Sequence, residues 1–379
     1  MNKMAKRWRF LYMSGRILFI PPEYDCNISN AQILKDTCLV PCLLQKYYGY
    51  HTTIAAYSID ESLLKIHFPD CKFECINYTG IFNRDAHTYI NEHANNFDIL
   101  FMFGPYECYV EFGAIYKKCN PDGKIYLKLD MNRYWLSRII STQHFSALLG
   151  MCHLISVESY NLYRIINRET PFNVELIPNG FYETFPVEPL GYPEKENIII
   201  TVGRLGIVEK QTDVLLKAFL DADIPGWKLK LIGNVAQRFL STMETFREHP
   251  KFEQAVEFTG PIYDRQKLEE EYRRAKIFCM TSNVEAYAHV FAEAAKNGCY
   301  IISTDVDGAY DITDNEQYGT VVPVGDCKTI TGAFEKICPD DDKIQEVFNG
   351  MYSFARSELS WKYILGKLDI LFHLKGLAK

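Results

Sequence analysis

The sequence predicts an α/β protein built from two doubly wound, parallel-sheet domains, and three observations carry that prediction. The chain has 379 residues, more than one domain of roughly 150 residues accounts for. Short β-rich runs alternate with longer helical patterns almost from end to end, the order that places helices on both faces of a parallel sheet. The alternation stops once, where Pro178, Gly180, Pro186, Pro189, Gly191 and Pro193 crowd a stretch without any period, and then restarts.

The elements can be justified in order. Branched and aromatic runs predict strands over 16–20, 51–57, 72–77, 98–103, 124–129, 153–157 and 173–177. Between them, apolar residues recurring every three or four positions predict helices over 31–46, 85–96, 109–118 and 159–167. Beyond the proline-rich break, strands are expected over 197–202, 228–232, 256–259, 277–281, 300–303 and 320–322, enclosing helices that start near Lys210, Asp264 and Ala288. Helices after Asp326 and from Trp361 close the chain, and the run Pro339-Asp340-Asp341-Asp342 reads as a helix start. The expected division is 1–185, 195–357 and a last helix over 358–379.

Composition narrows the function classes. Hydrophobic residues make up 47% and charged residues 23%, which excludes a disordered chain or a coiled-coil rod. The net charge of -7 gives no overall electrostatic case for binding nucleic acid. Locally the start differs: Lys3, Lys6, Arg7, Arg9 and Arg16 precede the first acid, Glu23, and are interleaved with Trp8, Phe10, Leu11 and Tyr12. This stretch, residues 1–16, is either a membrane-docking segment facing anionic lipid or a solvated terminus. The 12 cysteines are scattered with no C-x-x-C pair and read as structural thiols of a reducing, cytoplasmic setting. No apolar run reaches the roughly 18 residues of a membrane span. Aromatic residues are abundant, with 25 Tyr and 24 Phe, which suits heavy cores or surfaces that meet sugars, lipids or partners.

Dinucleotide, P-loop, nucleophile-elbow and zinc-protease signatures are all absent. The remaining chemistry-bearing residues lie at strand ends in the second half, where open α/β sheets bind ligands. Gly203 allows a tight turn after a strand, and Arg204 and Lys210 follow in the connecting loop. Two fixed cations there suit a diphosphate, Arg by paired contacts and Lys as a point charge; two solvated surface cations are the plain alternative. Further on, Glu285 precedes a helix that holds Glu293 among Val290, Phe291, Ala292, Ala294 and Ala295, an apolar setting that demands a partner for the carboxylate. A fully helical interval would separate the two carboxylates by about 12 Å, near the span from sugar to ribose in a nucleotide sugar. Backbone N–H groups at the helix start, near His289, would lie between them. Asp305-Val306-Asp307 imitates a metal-binding D-x-D triplet, but that spacing is cheap by chance and no metal site is expected.

The segments "VGRLGIVEKQTDVLLKAF", "VEFTGPIYDRQKLEEEYRRAKIFCMTSNVEAYAHVFAEAAKNGCYIISTDVDGAYDI" and "GTVVPVGD", in this order, resemble family-four (group 1) retaining glycosyltransferases of the GT-B fold. The resemblance covers most of 150–330, and the glutamate pair is its most specific part. It implies two Rossmann-like domains facing a cleft, an N-terminal acceptor-binding domain, a C-terminal domain from about Lys195 for the donor, and a last helix crossing back to the first domain. Arg204 and Lys210 would then bind the diphosphate, Glu293 the ribose hydroxyls and Glu285 the donor sugar. Gly203, His289 and the backbone at Val290 and Phe291 would support phosphate or sugar, and Gly260 to Ile262 would approach the base. The family usually has Gly where Gln211, Ala286 and Ala288 stand here, and a Gly-Gly pair near Asp307-Gly308. The His-Asp pair that relatives carry after an N-terminal strand corresponds here to Lys128-Leu129-Asp130, so no catalytic histidine carries over and Asp130 is the candidate base.

The expected activity is retaining transfer of a sugar from a nucleotide-diphosphate donor to a hydroxyl acceptor, a glycan or lipid-linked saccharide, in polysaccharide or glycoconjugate biosynthesis. No cofactor is required beyond the nucleotide sugar, because fixed cations stabilise the leaving diphosphate and its departing oxygen can take the acceptor proton. The location implied is the cytoplasm, alone or at the cytoplasmic face of a membrane. Two other classes fit the same architecture: a nucleotide-sugar epimerase or processing enzyme, which would consume donor without acceptor, and a non-catalytic scaffold, which would bind no nucleotide.

Overall fold

The computed structural model describes residues 15–378, so the basic N-terminal stretch, apart from Gly15 and Arg16, lies outside the described residues. The chain divides into two compact units. One runs to Pro178 and takes back the C-terminal segment from Trp361; the other is Asn179–Ser360.

The first unit is organised by a seven-stranded parallel sheet: β1 (Arg16–Phe19), β2 (His51–Ala56), β3 (Lys72–Cys75), β4 (Ile99–Phe103), β5 (Lys124–Lys128), β6 (Leu154–Val157) and β7 (Glu175–Leu176). Their spatial order is β3-β2-β1-β4-β5-β6-β7. Ile17 pairs with Thr52 on one side and Ile99 on the other, which makes β1 and β4 neighbours. All five residues of β4 are buried, as a central strand covered on both faces requires. The helix expected over 31–46 is two helices, Asn30–Ile33 and Asp36–Tyr48. Gln32 turns back to accept the Ser29 N–H at 2.6 Å, closing the first as a short capped turn, and extended Lys35 starts the second. Helices Glu61–His67, Arg133–Ser141 and Gln143–Met151 were not legible. The last two form one amphipathic stretch interrupted by extended Thr142.

The last helix, Trp361–Leu374, belongs to this first unit. Trp361, Leu365, Leu368 and Phe372 line its buried face. Phe372 meets the Tyr126 ring edge-on at 5.2 Å, and Asp369 accepts from the Tyr50 hydroxyl at 2.7 Å. Each such large apolar side chain contributes about 1.5–3 kcal/mol by leaving water, which is enough to hold a 14-residue helix in place.

The second unit has a six-stranded parallel sheet: β8 (Glu196–Val202), β9 (Lys228–Ile232), β10 (Val256–Gly260), β11 (Ala275–Met280), β12 (Tyr300–Thr304) and β13 (Gly319–Val322). The order β10-β9-β8-β11-β12-β13 repeats the first sheet's arrangement, with β8 and β11 side by side at the point where the winding reverses. The chain leaves those two strands in opposite directions, so a crevice opens between the loops at their carboxyl ends. The proline-rich stretch before β8 has only a short helical turn at Tyr192–Glu194. It is nonetheless anchored, since Phe181 N–H donates to the Leu359 carbonyl at 2.9 Å.

Candidate active site

The switch point of the second sheet gathers Gly203, Arg204, Lys210 and Glu285. Gly203 follows β8 directly, and its N–H donates to the Ile232 carbonyl at 2.9 Å. Lys210 folds back over it: the Lys210 Cε stands 3.7 Å from where a Cβ on Gly203 would be. The Lys210 ammonium pairs with the Glu285 carboxylate, and both side chains are largely buried at 21% and 15% exposure. Arg204 is exposed, with no side-chain partner among the described residues, and lines the same small cavity as Lys210, Thr281 and Ser282. One cation is thus held by a carboxylate and the other is open to solvent.

The two loops are stitched together. The Thr281 hydroxyl donates to the carbonyls of Lys210 and Gln211 at 3.0 and 3.1 Å, and Asn283 N–H donates to the Glu209 carbonyl at 2.8 Å. The fold constrains the backbone at Gln211, which sits at φ 44° and ψ 48°, a left-handed conformation that costs a side-chain-bearing residue about 1–2 kcal/mol. A glycine at this position would carry no such cost. Ala288 is different: at φ -64° it is ordinary backbone capping the helix His289–Lys296, and alanine causes no strain there. Buried Gln211 Oε1, Ser282 Oγ and Asn283 Oδ1 have no hydrogen-bond partner among the described residues. Three such atoms on two adjoining loops leave unused polar capacity beside the crevice.

Gly233 was missed by the sequence reading and is indispensable to the geometry. At φ +144°, a Cβ on it would lie 1.7 Å from the Gly203 carbonyl oxygen. Its N–H donates to the Gly260 carbonyl at 3.0 Å, which ties the ends of three neighbouring strands together. The available signal was a glycine immediately after a strand, the same pattern that singled out Gly203. Gly260, at φ +72°, has open space where a Cβ would stand, and half-buried Ile262 follows.

The glutamates are separated by irregular backbone as well as helix, because only His289–Lys296 is helical. Half-buried His289 is its first residue, Val290 its second, and Phe291 is fully buried with its N–H already donated to the Ala288 carbonyl at 3.0 Å. Glu293 has the partner its apolar setting demanded. Arg265 Nη2 donates to its Oε1 at 2.7 Å and the Tyr272 hydroxyl to its Oε2 at 3.1 Å. Burial disfavours the Arg265 charge, but Glu293 outweighs it and raises the guanidinium pKa. Burial, then Glu293, pushes the Tyr272 phenol up as well, so it remains a donor.

Asp130 lies in the other unit, two residues beyond β5, at a left-handed φ of 39°. Its N–H donates to Glu158 Oε1 at 3.3 Å. Beneath it is a buried charge cluster that the sequence did not announce. Lys128 Nζ pairs with Glu158 Oε1 and stands 3.4 Å from Asp36 Oδ2, with side-chain exposures of 0%, 0% and 4% in that order. Asp305 is exposed and Asp307 buried. Among the described residues no group of three or more His, Cys, Asp or Glu side chains is placed to hold a metal ion. Among the same residues no helix is long and apolar enough to cross a membrane. All twelve cysteines are free.

Comparison with known proteins follows the same division. Residues 185–349, within the second unit, match the family described as glycosyl transferases group 1. Among curated proteins, none matches this sequence. Among solved structures, Anabaena Alr3699/HepE in complex with UDP superposes with a TM-score of 0.71 at 12% identity, covering 95% of this chain and 100% of that one. Sucrose-phosphate synthase from Thermosynechococcus elongatus gives 0.71 at 16%, covering 95% and 98%. WaaG, a glycosyltransferase of lipopolysaccharide biosynthesis, gives 0.62 at 12%, covering 93% and 99%. With its two switch-point sheets and returning C-terminal helix, the chain has the GT-B fold, and its second unit carries a glycosyl transferases group 1 domain.

Proposed function

We propose that this protein is a retaining glycosyltransferase that moves a sugar from a nucleoside-diphosphate donor to a hydroxyl of a glycan or lipid-linked saccharide. The observation that carries the reading is the convergence of Arg204, Lys210 and Glu285 on the switch point of the second sheet, inside the segment that matches group 1 glycosyl transferases. HepE, similar in fold, has been solved with UDP and with UDP-glucose, which supports a uridine nucleotide as the first donor to test.

In this reading the diphosphate enters beside Gly203, where Arg204 and Lys210 meet the charge that grows on the leaving group. The Glu285 carboxylate holds Lys210 in place until the donor arrives, and then accepts hydrogen bonds from hydroxyls of the donor sugar. Gln211, Ser282 and Asn283 supply the polar capacity that the donor uses on the same side. Glu293, oriented by Arg265 and Tyr272, takes the ribose hydroxyls on its remaining lone pairs. The leaving phosphate oxygen receives the acceptor proton, so the fixed cations do the main catalytic work.

The test is turnover of a panel of nucleotide sugars with and without saccharide acceptors. Alanine at Arg204 or Lys210 should each lower kcat by about 10²–10³, the effect of losing one preorganised donor to developing charge. Wild-type turnover in the double variant would end this reading. Donor consumption that is indifferent to acceptor would point to an epimerase instead, and the absence of nucleotide binding to a scaffold.

A further inference from the structure

Glu293 is gripped by the two ends of one helix. Its donors, Arg265 and Tyr272, both belong to Arg265–Arg274, where a spacing of two turns puts them on one face and about 10 Å apart along the axis. Between them Glu269 pairs at 2.5 Å with Lys296, one turn beyond Glu293, with both side chains buried. Arg265 opens the helix and is half exposed, whereas Tyr272 lies in its last turn and is 1% exposed. The hold of Tyr272 on Glu293 therefore depends on where the end of the helix sits.

The last carbonyls of a helix have no donor within it. Here a side chain from outside supplies one. Lys195 Nζ donates to the carbonyls of Tyr272 at 3.1 Å and Ala275 at 2.7 Å, and lies 3.7 Å from Cys299 Sγ. Cys299 Sγ faces the same two carbonyls at 3.5 and 3.4 Å, but a thiol is a weak donor with a single proton to share. Lys195 directly precedes β8, is 7% exposed, and has its ammonium satisfied by these neutral groups. Burial lowers its pKa and Arg273 adds to that, while Cys299 and Glu269 oppose it. A desolvated ammonium is a costly core filler, and an apolar chain of similar length would pack there without that cost. At a helix C-terminus the same cation meets unused carbonyls and the negative end of the dipole. The lysine thus serves the helix end and not the core.

We propose that Lys195 is a positioning residue for ribose recognition: from the amino edge of the second sheet it fixes the last turn of Arg265–Arg274, so that Tyr272 and Arg265 together aim the free lone pairs of Glu293 at two neighbouring ribose hydroxyls. The inference rests on the reading that Glu293 takes those hydroxyls. Without Lys195 the last turn loosens and the Tyr272 hydroxyl leaves Oε2. Glu293 then pivots about its bond to Arg265, which the other end of the helix still holds. One hydroxyl contact is lost, and the contacts that Arg204 and Lys210 make to the diphosphate are untouched.

The experiment is calorimetric titration of the full chain with UDP and GDP, their 2′,3′-dideoxy counterparts and pyrophosphate, for wild type, Lys195→Met, Lys195→Gln and Tyr272→Phe, at a temperature where melting curves show the protein folded. Wild type should bind the preferred ribonucleotide at least about tenfold more tightly than its dideoxy form. Lys195→Met and Tyr272→Phe should each shrink that ratio by about fivefold or more, while affinities for the dideoxy nucleotide and for pyrophosphate stay within about twofold. Lys195→Gln keeps an N–H donor for one carbonyl and should show the same selective change at smaller amplitude; it carries the test if Lys195→Met does not fold. An unchanged ratio in a folded Lys195 variant or in Tyr272→Phe would overturn the proposal, and so would an equal loss for all ligands, the mark of a purely structural lysine. Those results leave the glycosyl-transfer reading standing. Wild type that binds neither nucleotide removes both, and wild type that binds ribo and dideoxy forms equally removes the ribose role of Glu293 and this inference with it.

Discussion

Replacing Lys128 by Met keeps the length of the side chain and removes an ammonium that lies against two buried carboxylates, Glu158 and Asp36. Glu158 and Asp36 are 0% and 4% exposed at their side chains, so neither can turn to water when the ammonium is lost. Breaking a buried ion pair from one side costs about 3–5 kcal/mol, because the remaining charge stays desolvated. In a unit of this size each kcal/mol corresponds to roughly 2–4 °C, so the melting transition of the first unit should fall by about 6–20 °C. Calorimetry reads the shift, and hydrogen exchange should place the loss on the amides of β5 and β6.

The sign of the pH dependence makes the prediction specific. In the intact protein burial raises the Glu158 pKa, and Lys128 offsets that only in part. The Lys128 pKa is itself raised: burial opposes its charge, but Glu158 and Asp36 outweigh burial. Without the lysine, folded Glu158 holds a proton that the unfolded chain releases above about pH 4.3. Between that value and the folded pKa the native state binds more protons, so stability rises as pH falls, by about 1.4 kcal/mol per unit for a single proton. Ordinary acid destabilisation runs the other way. Lys128→Met with Glu158→Gln should recover at least half of the loss, because the amide keeps an oxygen for the Asp130 N–H and carries no charge. A Lys128→Met protein within about 1 kcal/mol of wild type, with no gain on acidification, would refute the account in which Lys128 compensates the buried carboxylates.

Other perturbations test other parts of the structure. Gly233→Ala places a methyl 1.7 Å from the Gly203 carbonyl at φ +144°, and overpacking with backbone strain should cost about 3 kcal/mol or more in urea unfolding, together with nucleotide binding. Gln211→Gly relieves a left-handed side-chain-bearing residue and should stabilise by up to about 1 kcal/mol; a destabilised variant would mean that the Gln211 side chain is needed. Glu293→Ala removes a charged acceptor and should weaken nucleoside diphosphate binding by about 10–100-fold in calorimetric titration, with smaller effects on kcat. His153, whose Nδ1 accepts the Ile125 N–H at 3.2 Å, is held neutral by burial and, to a lesser degree, by Lys124 and Lys117, with its pKa lowered to about 4. The unfolded chain takes up that proton first, so stability should fall as pH drops from 6.5 to about 4, and His153→Gln should flatten that slope in pH-dependent melts.

The sheet strands were legible because each is a short unbroken run in which neighbours in sequence share one environment. Ile99–Phe103 is apolar at every position, and a central parallel strand buries every position. The helices were less legible where function or capping interrupts the period. Asn30–Ile33 and Asp36–Tyr48 read as one helix, yet the chain breaks at Lys35 and the second helix starts with buried Asp36 beside Lys128. Arg204, Lys210, Glu285 and Glu293 stand out in the sequence, but the partners the fold gives Lys210, Glu285 and Glu293 do not. Nothing near Glu293 in sequence points to Arg265, and nothing near Lys210 points to Glu285; the β8–β11 adjacency makes the second pair, and sequence order does not show that adjacency.

The two switch points differ in the same respect: the residues around the second could be read in the sequence, and those around the first could not. A diphosphate needs cations and free N–H groups on two loops, and those loops fall within short stretches of recognisable residue types around Gly203 and Ala288. The aromatic pair Tyr24–Tyr106 carries no such signal, because in a chain with 25 tyrosines and 24 phenylalanines the residue type is uninformative. What distinguishes Tyr24 is its 64% exposure against Tyr106, and what places Tyr106 is the left-handed Gly104 at the end of a strand far along the chain. The placement of that pair therefore depends on tertiary geometry, so Gly104→Ala, which sets a methyl 2.3 Å from Tyr106 Cε2, should lower the melting temperature, whereas Tyr24→Phe should leave it near wild type.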